Sequence, residues 1–207
     1  MKKCGFSING KDVMFSHDTD NNIARMFAQT IAAQENENHV IEDGKSIQIG
    51  WGYYVFKLEG KVFVVYAADY ENDPFNDLTN DLTLSLNIMR DQLEICKKTG
   101  LMAKELITFQ DTFMAKKSAV GSDNLYFEKQ CEINDGDSGW YMGDPADEDV
   151  SEEPDDYETF PLYKLLEICP KAISLLSLPV GSIALVKNGE ITNICDENNK
   201  EVYADQD

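Results

Sequence analysis

Ile47-Gln48-Ile49-Gly50-Trp51-Gly52-Tyr53-Tyr54-Val55-Phe56-Lys57-Leu58-Glu59-Gly60-Lys61-Val62-Phe63-Val64-Val65-Tyr66-Ala67-Ala68 holds two hydrophobic rhythms separated by a turn signal. Over residues 47–58 alternation puts Ile47, Ile49, Trp51, Tyr53 and Val55 on one face, the period of a strand with one covered side. Residues 62–68 are almost continuously apolar, as in a strand buried on both faces. Glu59-Gly60 between them predicts a reversal, so the pair reads as two central antiparallel strands.

Outward toward the amino terminus, residues 4–8 and 11–15 flank Asn9-Gly10, a dipeptide suited to the positive dihedrals of a two-residue hairpin turn. Residues 18–22 offer capping side chains for a helix to about Gln34, with Ile23, Met26, Phe27 and Ile31 on one face and the polar residues 35–38 ending it. Toward the carboxy terminus, Leu82, Leu86, Met89, Leu93 and Cys96 recur at helical spacing from about Asn80, and Gly100 stops that helix. Residues 106–109 are strand-like. Lys116-Lys117 followed by Gly121-Ser122-Asp123 suggests a change of unit near Gly121. The expected fold class is therefore α+β, antiparallel sheets with packed helices, in two small domains, 1–120 and 121–207.

In the second half, residues 125–133 alternate as a strand, and residues 134–139 form a turn rich in Asn, Asp and Gly. Thr159 and Pro161 mark the start of a helix carrying Leu162, Leu165, Leu166 and Ile168 until Pro170. A short helix over 171–178 leads into a hairpin, 180–187 and 190–194, turned at Asn188-Gly189. The polar tail 196–207 is expected to fray.

With 43% hydrophobic residues the chain has enough apolar side chain for a core. The longest apolar runs are strand-sized, well short of a membrane span, so no membrane partner is expected. Met1-Lys2-Lys3 has the charge of a secretion signal without the apolar segment behind it. Five scattered cysteines without a C-x-x-C pair read as reduced thiols, and the expected compartment is the cytoplasm. The net charge of −20 is unevenly placed: residues 1–120 hold 13 Lys/Arg and 17 Asp/Glu, whereas residues 121–207 hold 5 and 21. That balance excludes nucleic acid as a partner, since phosphate contacts need clustered cations, and favours a protein with a basic surface.

The two histidines, His17 and His39, have no neighbouring ligand residues, and no cofactor is expected. Phosphate-loop, dinucleotide and serine-elbow motifs are absent. Residues 18–22 and 135–139 begin like calcium loops, but Ile23 and Trp140 stand where the required glycine belongs. A calcium-stabilised module with looser oxygen ligation, or an uncharacterised hydrolase, stay as alternatives. The most distinctive stretch is Asp135-Gly136-Asp137-Ser138-Gly139-Trp140-Tyr141-Met142-Gly143-Asp144, where aromatics leave a glycine-rich turn beside an acidic run. It admits two readings, an interface anchor ringed by charge or, favoured for Trp140, the first core residue of a strand. From Glu132 through Glu158 there are twelve acidic residues and no basic one. The candidate partner-binding residues are Asp135, Asp137, Trp140, Tyr141, Asp144, Asp147, Glu148, Asp149, Glu152, Glu153, Asp155 and Asp156.

Asp137-Ser138-Gly139-Trp140, the acidic insert with Gly143-Asp144, the run Pro161-Leu162-Tyr163-Lys164-Leu165-Leu166-Glu167-Ile168-Cys169-Pro170 and Leu178-Pro179-Val180-Gly181-Ser182 occur in that order. Through these pieces, residues 125–195 resemble the immunity-protein family numbered thirty-three of bacterial polymorphic-toxin systems. The resemblance implies a cognate toxin as partner, neutralised by binding and without catalysis. The amino-terminal half lies outside these motifs and reads as a companion domain. Charge complementarity adds the expectation that the toxin is basic, as nucleases are, with the acidic run standing in for phosphate. The sequence leaves the oligomeric state open.

Overall fold

The computed structural model describes residues 1–147 and 153–204. The chain divides into two compact units, Met1–Arg90 and Asp91–Asp207. The junction falls thirty residues before the expected boundary at Gly121, because residues 112–116 pair inside the second sheet.

The first unit opens with β1 (Lys2–Ile8) and β2 (Lys11–His17), joined by the expected turn with Asn9 and Gly10 at φ 50° and 75°. Helix α1 (Asn21–Asn38) follows, capped by Asp20, whose carboxylate accepts from the Asn22 N–H at 2.7 Å. It outruns the expected end at Gln34 because Glu35 turns inward. There its carboxylate accepts from Lys11 Nζ at 2.7 Å and the Ile41 N–H at 2.8 Å. Burial alone pushes the Glu35 carboxyl up, but Lys11 and the Ile41 amide outweigh it and hold it below the usual carboxylate range.

The deciding stretch contains three strands where the alternation suggested two: β3 (Ser46–Ile49), β4 (Gly52–Glu59) and β5 (Val62–Ala68). Gly50 and Trp51 form a two-residue turn, and Ile49 pairs with Gly52. The reversal changes the parity of the covered face, so Tyr54 and Phe56 enter the core in place of Tyr53 and Val55. With β6 (Leu78–Thr79) on β5, the sheet order is β1-β2-β5-β4-β3. It is mixed rather than antiparallel as expected, since β2 runs parallel to β5. The excursion through α1 and the β3–β4 hairpin between them is long enough to reverse the chain twice. Phe27 of α1 meets Phe15 edge-on at 5.2 Å and Tyr54 at 4.6 Å in the core. Helix α2 (Thr83–Thr99) leads from the first unit into the second.

The second unit is a seven-stranded sheet built from β7 (Thr112–Lys116), β8 (Asn124–Lys129), β9 (Asp137–Gly143), β10 (Tyr157–Pro161), β11 (Ile183–Lys187), β12 (Glu190–Cys195) and β13 (Glu201–Ala204). Their order is β10-β7-β9-β8-β11-β12-β13, and β7 runs parallel to β9, so this sheet too is mixed. Phe113, Ala115, Leu125, Phe127, Met142 and Val186 are buried, together with Leu175 and Leu176 of a 3-10 helix (Pro170–Ser177).

Three local expectations are corrected here. Residues 106–109 are not a strand: Thr108 donates through its N–H and hydroxyl to the Asp111 carboxylate, closing a side-chain turn instead. The helix expected from Thr159 begins only after β10, with a 3-10 turn (Leu162–Lys164) and the single turn α3 (Leu165–Ile168). Thr159, Phe160 and Pro161 pair with Met114, Phe113 and Thr112, and this ladder overrides the local capping signal. Within the tail expected to fray, residues 201–204 are held as β13 by pairing with β12.

Candidate functional site

The acidic stretch begins at a tight turn in which Asn134 and Asp137 exchange hydrogen bonds of 3.0 and 2.9 Å, with Asp135 and Gly136 at positive φ. Asp135 is exposed, and one oxygen of Asp137 accepts from the Gly139 N–H at 2.8 Å. The next residues are structural. The Ser138 carbonyl accepts from the ammonium of Lys129, which is only 2% exposed. Gly139 stands at φ 69° against the backbone carbonyl of Cys131, where no side chain fits. Burial lowers the Lys129 pKa, opposed by Glu132, Cys131, Glu105 and Asp137 nearby.

Trp140 is 2% exposed, as the core reading holds, and its indole N–H has no hydrogen-bond partner among the described residues. Tyr141 is 8% exposed, so neither ring offers free surface for an anchor. The pairing Met114↔Tyr141, Glu128↔Tyr141, Tyr126↔Gly143 and Leu185↔Tyr126 puts these side chains on the sheet face opposite the core. Tyr126, Tyr141 and Tyr157 form a row there, with centroids 5.6 and 6.2 Å apart. Gly143 makes the row possible, because the Tyr126 ring lies where its Cβ would be. Met114 and Leu185, 39% and 40% exposed, flank the row. Burial, then Tyr126, Tyr157 and Asp147, push the Tyr141 hydroxyl well above the usual phenol range, so it stays neutral.

At the far end of β9 the chain passes into Asp144 and Asp147. Asp144 accepts from the Ser122 hydroxyl at 2.6 Å and the Ala146 N–H at 2.8 Å, and these bonds hold it below the usual range. Asp147 lies 2.8 Å from Lys116 Nζ and accepts from the Ser118 hydroxyl at 2.6 Å, which lower its pKa in that order. Lys117 donates to the Asp155 carbonyl at 2.6 Å. The basic pair that marked a boundary in the sequence thus fastens the acidic run at both its ends. Glu148, Asp149 and Glu152 lie outside the described residues. Glu153, Asp155 and Asp156 are exposed, the last two in a 3-10 turn (Pro154–Asp156).

The candidate residues therefore form two groups. Asp135 and Asp137 stand at the start of β9, and Asp144 and Asp147 follow its end. Its seven residues separate them by roughly 20 Å at the usual rise per residue. Sequence reading missed Tyr126, Tyr157, Met114, Lys116 and Lys117 as members of this neighbourhood. The alternation over residues 125–133 could have placed Tyr126 outward, but nothing local could bring Tyr157 to it.

Among the described residues, no group of three or more His, Cys, Asp or Glu side chains is placed to hold a metal ion. No described helix is long and apolar enough to cross a membrane. The sequence model of the Imm33-like domain matches residues 91–197, just over half of the chain. No curated protein and no solved structure matches.

Proposed function

The chain belongs to the Imm33-like family, and on that premise we propose that it is a non-catalytic immunity protein that neutralises a cognate bacterial toxin by binding a basic surface on it. The observation that carries the reading is the coincidence of the matched residues with the acidic unit. Residues 91–207 hold 25 Asp/Glu against 10 Lys/Arg, and the run fastened by Lys116 and Lys117 lies inside the match. Long-range attraction of this kind raises encounter rates with a basic partner.

The contact surface in this reading holds Asp144, Asp147, Glu153, Asp155 and Asp156 beside the tyrosine face, and Glu148, Asp149 and Glu152 are assigned to it by their place in the acidic run of the sequence. Aromatic rings next to a charged rim have the make-up of a protein interface, which buries about 1,200–2,000 Å² in total. Asp135 and Asp137 form a second, separate point of contact, while Trp140 and Tyr141 support the surface from within. The unit Met1–Arg90 is a companion domain. The producing cell's cytoplasm is the proposed compartment, where the five free thiols stay reduced.

The test takes the toxin whose gene neighbours that of this chain. Neutralising Asp147, Glu148, Asp149, Glu152 and Glu153 together is expected to slow association by about tenfold or more at low salt and to flatten its salt dependence. An unchanged rate and salt slope would move the interface elsewhere on the unit. Relatives of this chain with no toxin gene beside any of them would count against the immunity role itself.

A further inference from the structure

The unit Met1–Arg90 lies outside the family match and carries a binding feature of its own. Its sheet ends on β1, which pairs with β2 over all seven residues and with no other strand among the described residues. The two-residue turn fixes which backbone groups face outward. Ile8 and Lys11 close the hairpin as a hydrogen-bonded pair, and alternation then leaves the N–H and C=O of Lys3, Gly5 and Ser7 directed away from β2. β1 has no proline and no bulge, so the usual protections of an exposed edge are missing apart from Lys2 and Lys3 at one end.

Beside this edge runs a groove of about 690 Å³ between β1 and α1. Cys4 and Phe6, both half-buried, form its strand side. Ala24, Ala28 and Ala32 recur at a spacing of four and keep the helix side low. Lys2, Lys3 and Arg25 border the groove and no carboxylate does, in a chain whose net charge is −20. Lys2 Nζ donates to the Thr19 carbonyl at 3.2 Å. The Arg25 guanidinium makes no hydrogen bond or ion pair among the described residues.

We propose that this groove binds an extended acidic segment of a partner polypeptide, which adds to β1 as a further strand and sets the carboxylates on its groove-facing side against Arg25 and Lys2. Strand addition satisfies the six outward backbone groups of Lys3, Gly5 and Ser7, while alternate side chains of the segment enter the groove. The cations choose the sign of the ligand, opposite to that of the toxin surface proposed for the other unit. The two sites therefore do not compete for one kind of partner.

The experiment is an NMR titration of the full chain with a short peptide alternating Glu with Val and Thr. Saturable amide shifts at Lys3, Gly5, Ser7 and Arg25 are expected, and the same peptide N-methylated at every residue should lose them, because neither of its edges can then donate to β1. Arg25→Glu should weaken binding by about tenfold or more. The proposal is overturned if β1 does not respond, if N-methylation makes no difference, or if a peptide with Lys in place of Glu binds equally well. Concentration-dependent shifts of β1 without peptide would make a second copy of this chain the occupant and overturn it as well. The N-methylated probe leaves the protein unaltered, so the answer does not depend on a variant folding.

Discussion

Gly143 has no room for a methyl group, because the ring of its cross-strand partner Tyr126 lies over its Cα. Gly143→Ala should therefore force that ring off the sheet and cost about 1–3 kcal/mol, the usual range for overpacking. Urea denaturation of the single variants and of Gly143→Ala with Tyr126→Ala checks this. The double variant should be more stable than the sum of the singles implies, since the alanine side chain then has nothing to displace. Lys129 presents the opposite case, a cation kept out of water with one carbonyl as its partner. Its folded pKa is lowered, so between that value and the ordinary value of about 10.4 the unfolded chain binds more protons and stability rises with pH. At neutral pH burial of the ammonium opposes folding, and its bond to the Ser138 carbonyl offsets it. Lys129→Met should leave stability at pH 7 equal or higher and remove its contribution to the alkaline rise; a large loss at pH 7 would mean that the bond to Ser138 outweighs burial.

At the scale of elements, α1 is held at its carboxy-terminal end by one buried side chain. Glu35 joins the helix to β2 through Lys11 and to the following segment through the Ile41 amide. Glu35→Gln keeps the shape but loses the charge, and with Lys11 part-exposed the expected cost is about 2 kcal/mol. The folded pKa of Glu35 is depressed, so its contribution is complete above the unfolded value near 4.3 and is lost as pH falls through the folded value. Urea midpoints of wild type and variant should converge in that acid window. Element identity was readable where the signal was local: Asn9-Gly10 and Asn188-Gly189 sit at the hairpin turns expected of them. It failed at Thr159-Phe160-Pro161, where a helix-start signal gave way to pairing with β7.

For the whole molecule the governing quantity is charge. A net −20 on 207 residues repels itself in the folded state, and salt screens that repulsion over a Debye length of roughly 10 Å at 0.1 M. Thermal stability should therefore rise when neutral salt is raised from low to moderate concentration. A fall would mean that ion pairs such as Lys11–Glu35 and Lys116–Asp147 outweigh the repulsion. Binding should respond in the opposite sense, with association to a basic toxin slowing as salt is added. The two salt responses separate self-repulsion from recognition.

The sequence by itself determined the α+β class, the two local hairpins, the helices α1 and α2, the placement of negative charge, and the likeness to immunity proteins over the second half. Each of these is written in composition or in spacings of a few residues. Tertiary structure alone decided that both sheets are mixed, that β7 belongs to the second unit, and that Lys116 and Lys117 hold the acidic run. It also placed Asp135 and Asp137 at the opposite end of β9 from Asp144 and gathered Tyr126, Tyr141 and Tyr157 into a row. These features depend on pairing between strands far apart in the chain. A strand's own pattern fixes which face is covered but leaves its neighbour unspecified, and register with that neighbour decides which side chains meet.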